Sequence, residues 1–122
     1  MTDQRLPPPE GKYLPMSAPR IAFSTLAFPD ASLATVISLG RSWGYSGVEL
    51  RLIDGDLIDP AMSPADRSAV KRTAAVAGLP IVAVDSSIRL TDNEPDAELG
   101  RFIELASGCR PRSGQIWVGA YC

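Results

Sequence analysis

Glu49 and Arg51 are the side chains whose types and spacing first point to chemistry. They alternate with Val48, Leu50 and Leu52, so a strand of period two sets a carboxylate and a guanidinium on one face and three apolar groups on the other. Such a pair can contact a substrate; the plainer reading is a strand face whose charges pair with neighbours or meet solvent. The chain has no histidine, which removes the commonest transition-metal ligand and the commonest general base near neutral pH. Asp54, Asp56 and Asp59 superficially resemble an oxygen-ligand calcium loop. They lack the calcium-loop ligand pattern and its closing Glu, so a solvated loop is expected there. Cys109 and Cys122 stand without histidine near the end of the chain and are assigned no chemistry.

Three βα units position these residues. The apolar run at residues 21–26 reads as a first strand, and residues 30–43 as a helix with Leu33, Val36, Ile37 and Gly40 on one stripe. Gly44 to Gly47 turn the chain into the second strand, which carries Glu49 and Arg51. Ser63, Pro64 and Asp66 mark a helix N-terminus, Ala69, Val70, Thr73, Ala74 and Ala77 give it an apolar face, and Gly78 stops it. Residues 79–84 form a short, continuous apolar run, as expected of a strand buried on both faces of a parallel sheet. Pro95 opens a third helix with Leu99, Phe102, Ile103 and Ala106 on one side.

Composition bounds the rest. The 122 residues, 45% hydrophobic and 21% charged, suit one globular domain and leave no room for two. Twelve basic and fourteen acidic residues give a net charge of −2 without long runs of either sign, so neither nucleic acid nor an anionic membrane is expected as a partner. No stretch approaches the roughly 20 apolar residues of a membrane span. Residues 1–19 are proline-rich and lack the apolar centre of a secretory signal; they read as a disordered lead-in, and the compartment as cytoplasmic. There is neither G-x-G-x-x-G nor a P-loop, which argues against both nucleotide-binding classes.

The opening residues 20–28, the segment Trp43-Gly44-Tyr45-Ser46-Gly47-Val48-Glu49-Leu50-Arg51, and residues 77–84 before Asp85-Ser86-Ser87 together resemble the N-terminal part of the sugar phosphate isomerase/epimerase family. The resemblance implies the xylose isomerase-like TIM barrel, an α/β fold of repeated βα units closed into a (β/α)8 barrel, here truncated after about three units. It covers residues 20–107, against the roughly 250 residues typical of such a barrel. It also implies, for a full-length form, an isomerase or epimerase of a sugar or related polyol, dependent on a divalent metal (Mn, Mg or Zn). The usual metal ligands belong to later strands, so no metal is expected to be bound by this chain, which is expected to be inactive alone. On the substrate side, the resemblance points to Glu49 and Arg51 on the second strand, Ser24 near the end of the first, and Asp85 after the third.

The segment 108–122 breaks the pattern: Cys, Arg, Pro and Gly follow a helix stop, and only residues 115–120 resemble a strand. It is read as an atypical tail, out of frame in origin, with a genuine short protein bearing a fourth strand as the alternative. A truncated barrel would leave open sheet edges through which copies could self-associate. The competing reading is a non-catalytic small α/β binding module, receiver- or flavodoxin-like, although no acidic cluster ends the first strand.

Overall fold

The computed structural model describes residues 20–89, 96–110 and 116–121. The proline-rich lead-in, Pro95, Gln115 and Cys122 lie outside them.

Strand β1 (Ala22–Ser24) is shorter than the apolar run that contains it. Ser24 ends it: its hydroxyl accepts the Leu26 amide hydrogen at 3.3 Å, and Thr25–Ala27 coil into a single 3-10 turn. Helix α1 (Leu33–Ser42) begins at Ser32, whose Oγ accepts from the Thr35 amide at 3.2 Å. It buries Leu33, Val36, Ile37 and Gly40, the stripe expected of it. A β carbon on Gly40 would run into the Phe23 ring, so glycine is what lets α1 lie close on β1.

Strand β2 (Gly47–Leu50) is followed by a bend at Arg51 and a small antiparallel hairpin, β3 (Leu52–Ile53) and β4 (Asp56–Leu57). Helix α2 (Pro64–Ala77) has both of the ends that the sequence marks. Ser63 Oγ accepts from the Asp66 amide at 3.1 Å, and Gly78 closes the helix with φ of 69°, a left-handed conformation that glycine adopts without a steric cost. Strand β5 (Ile81–Arg89), helix α3 (Asp96–Cys109) and strand β6 (Trp117–Tyr121) complete the described fold.

The main sheet runs β1-β2-β5-β6, and every neighbouring pair is parallel. Strands in chain order, each joined to the next through a helix, make this an α/β fold of about three βα units in a (β/α) barrel-like arrangement. Receiver and flavodoxin topologies instead place the first strand inside the sheet; among the described residues it is an edge here. Helix α2 touches both α1 and α3. All three helices contribute to one buried cluster with the sheet, including Ile37, Leu50, Val70, Val84 and Leu105. Burying each such large side chain stabilises the fold by about 1.5–3 kcal/mol.

Two expectations need correction. Strand β5 is nine residues long and is not buried on both faces: Val82 and Ala83 are half-buried, because no second layer covers that side among the described residues. On α3, Ile103 is 51% exposed while Leu105 and Cys109 are buried with Phe102 and Ala106, so the apolar stripe sits elsewhere on the helix and runs on past residue 107. Of the tail, residues 108–110 and 116–121 are described. Residues 108 and 109 belong to α3, and residues 117–121 pair in parallel with β5 as a fourth strand.

Candidate functional site

The side chains of Val48, Leu50, Ile81 and Val84 enter the core beneath the helices. Period-two alternation therefore sends Glu49 and its row to the opposite face of the sheet. Residues paired in a parallel sheet share a face, and the register runs Ser24, Glu49, Ala83, Trp117 across all four strands. Neighbours in such a row stand about 4.8 Å apart. Trp117 is 68% exposed and Ser24, Glu49 and Ala83 are half-buried, so this face is open to solvent in part, most at β6. A register shift between Val48 and Glu49 places an extra residue on β5, since Val48 pairs with Ile81 but Glu49 with Ala83. Bulges of this kind re-aim side chains.

One step further along the strands lie Arg51 and Asp85. Arg51 Nη1 donates to the Asp85 carbonyl oxygen at 3.4 Å, tying the end of β2 to β5. Asp85 pairs with Gly119, and a β carbon at Gly119 would stand 2.7 Å from Asp85 Oδ1. Glycine there leaves the space that the Asp85 carboxylate uses. Ser86, fully buried, clasps the same two strands: its hydroxyl donates to the Gly119 carbonyl at 2.6 Å and accepts from the Ile88 amide at 3.3 Å.

The bend that presents Arg51 is held by Thr25. This side chain is 2% exposed, and its Oγ1 accepts from the amides of Arg51 at 3.0 Å and Leu52 at 2.8 Å. A hydroxyl delivered by the 3-10 turn thus replaces the strand ladder that stops at Leu50.

Of the four residues expected at the site, Ser24, Glu49 and Asp85 fall on one face of the sheet by register and alternation, and Arg51, in the bend past β2, reaches the Asp85 carbonyl. Ser24 also caps the 3-10 turn. Thr25, Trp117 and Gly119 were not expected to contribute. Thr25 looked like one more member of an apolar run, and the other two fall in the segment read as atypical.

The aspartate loop is solvent-exposed, as expected of a solvated loop, and part of it is ordered as the β3–β4 hairpin. Asp54, at φ 53°, turns the β3–β4 hairpin and its Oδ1 accepts from the Leu33 amide at 2.8 Å, capping α1 from another element. Asp59 Oδ1 accepts from the Ala61 amide at 2.8 Å. Among the described residues, no group of three or more His, Cys, Asp or Glu side chains is placed to hold a metal ion. The described residues thus do not fit the divalent metal that the family resemblance implies.

Cys109 lies on the helix side, away from this face. Burial pushes its thiol above the ordinary range, against the smaller opposing pull of Arg67 and Lys71, so it favours the unreactive protonated form. No helix among the described residues is long and apolar enough to cross a membrane. Compared with protein-family models, curated proteins and solved structures, the chain matches none.

Proposed function

We propose that this chain is a non-catalytic α/β module whose open sheet face binds a small polyhydroxylated ligand of the sugar or polyol class. The observation that carries the reading is the exposed Trp117 standing in one row with Glu49 and Ser24, beside Arg51 and Asp85. An indole presents a broad apolar surface on which the C–H face of a pyranose or an extended polyol can rest. Carboxylates accept hydrogen bonds from ligand hydroxyls, the Ser24 hydroxyl donates or accepts, and the guanidinium suits an anionic substituent such as a phosphate ester. Ala83, the small residue between Glu49 and Trp117 in the row, leaves the floor of the face flat.

The non-catalytic character rests on what these groups lack. In the metal-dependent isomerases and epimerases of the resemblance, a divalent cation polarises the reacting carbonyl or hydroxyl, a part that Glu49, Asp85 and Arg51 do not supply. The chain has no histidine, and the described residues offer no metal-ligating cluster.

A second reading, kinship with sugar phosphate isomerases and epimerases, draws support from the chain-order parallel sheet and from Glu49 near the end of its strand. Catalysis on that reading requires metal ligands beyond those the described residues supply. The two readings separate in one experiment. The protein is titrated with D-xylose, D-xylulose, sorbitol and their phosphate esters while Trp117 fluorescence is followed in a Trp43→Phe background, and the mixtures are then analysed for isomer formation with and without Mn, Mg or Zn. The proposal expects saturable binding, weakened at least about tenfold by Glu49→Gln and, read by isothermal titration calorimetry, by Trp117→Ala, and no product. Metal-stimulated isomer formation overturns it in favour of the enzyme reading, and absence of binding overturns the ligand assignment.

A further inference from the structure

The aspartate loop has a place of its own in the fold, away from the open sheet face. The β3–β4 hairpin, the first turn of α1 and the N-terminal half of α2 enclose a cleft of about 550 Å³. Its floor is apolar: Leu33, Ile58 and Val70 are buried, with Ile53 and Met62 half-buried beside them. Its rim carries Asp54, Asp56, Asp59 and Asp66, and among the described residues no Lys or Arg lines it. The nearest basic side chain in sequence, Arg67, is held at the edge of the cleft, with Nε and Nη2 donating to the carbonyls of Met62 and Pro60 at 3.2 and 3.0 Å.

The four carboxylates are not equivalent. Asp54 and Asp59 already accept backbone amides, whereas Asp56 on the hairpin and Asp66 on α2 project from two different walls. Leu57, 56% exposed on the hairpin, extends the apolar surface outward between them. The groups that would seat a single metal ion are not assembled here. The cleft has the size of a binding pocket, which commonly runs to about 300–1,000 Å³. It joins an apolar floor to negative charge on opposite sides.

From this complementarity we propose that the cleft docks a short basic segment of a partner protein, an apolar anchor side chain flanked on both sides by Lys or Arg. The anchor fills the floor over Leu33, Ile58 and Val70. The flanking cations meet Asp56 on one wall and Asp66 on the other. The hairpin that forms the outer wall is fixed rather than loose, because Asp54 hydrogen-bonds to the α1 N-terminus and Ile58 N donates to the Arg51 carbonyl at 2.9 Å. A preformed groove loses less entropy on binding.

The test uses the whole chain and two fluorescein-labelled peptides, Lys-Leu-Lys-Leu-Lys and Glu-Leu-Glu-Leu-Glu, followed by fluorescence anisotropy at two salt concentrations. The basic peptide is expected to bind and the acidic one to fail. Exposed ion pairs are screened and individually weak, so Asp56→Asn with Asp66→Asn should weaken binding by about tenfold and flatten the salt dependence. Leu57→Ser, also exposed, should weaken it without altering the salt dependence. Glu104→Gln, exposed on α3 and outside the cleft lining, should change nothing. Equal binding of the two peptides, indifference to the double substitution, or full displacement of the basic peptide by spermidine at equal concentration would each overturn the proposal, the last in favour of a small organic cation.

Discussion

Thr25→Val is the substitution that most sharply probes how the fold presents Arg51. Valine keeps the volume and the β-branch of threonine but removes the oxygen that accepts from the Arg51 and Leu52 amides. The Leu52 contact is buried and the Arg51 contact partly so. Leaving a buried donor unsatisfied costs about 1–3 kcal/mol, and the partly exposed Arg51 amide recovers some of its loss by binding water. The sum is about 2–4 kcal/mol, a large share of the roughly 5–15 kcal/mol that holds a small domain together. With a urea m-value of about 1.5 kcal/mol/M, the midpoint should fall by ~2 M. Thr25→Ser, which keeps the hydroxyl and loses one methyl, should cost only about 1 kcal/mol. Amide hydrogen exchange should accelerate at Arg51 and Leu52 in the valine variant but not in the serine one. If valine is as stable as threonine, or if serine and valine are equally destabilised, the hydroxyl is not what secures the bend.

Gly119→Ala should displace the Asp85 carboxylate, weakening ligand binding at least severalfold while shifting the melting temperature little, since the atom in the way ends a short side chain that can rotate. Calorimetry beside a ligand titration checks both halves. Gly40→Ala forces a methyl into the Phe23 ring and should destabilise by about 1–3 kcal/mol, measured by urea unfolding. Cys109 should resist thiol reagents in the native protein and react on unfolding, as peptide mapping after labelling would show. Because burial raises its folded pKa, the unfolded chain deprotonates first. Stability from this group is whole below the ordinary thiol value and declines as pH rises through the folded one; Cys109→Ala should remove that alkaline slope.

Local signals were the part of the fold most legible in the chain. Ser63, Pro64 and Gly78 bound α2 where they should, because caps depend on one or two residues. The α1 stripe followed for the same reason of short-range periodicity. What was hidden depends on tertiary context. Strand β5 continues through Asp85, Ser86 and Ser87, past the apolar run that ends at Val84, because Ser86 spends its hydroxyl on β6 and can be buried. Strand β1 stops at Ser24 because a side-chain cap outcompetes the ladder. Strand β6 looked anomalous in isolation, yet Gly119 is what the Asp85 carboxylate needs opposite it. Of the site, Glu49 and Arg51 were visible through alternation, and Ser24 and Asp85 only through family resemblance. Trp117 had no signal until its register with Ala83 was known.

Two-dimensional amide NMR of the protein, titrated with D-xylose and with its phosphate ester, is the most direct test of the open sheet face as a binding surface. The account predicts shifts concentrated at Ser24, Glu49, Arg51, Asp85 and the Trp117 indole, suppressed in Glu49→Gln, with the sugar recovered unchanged. Shifts confined to other surfaces, or a spectrum unmoved at saturating ligand, would contradict it.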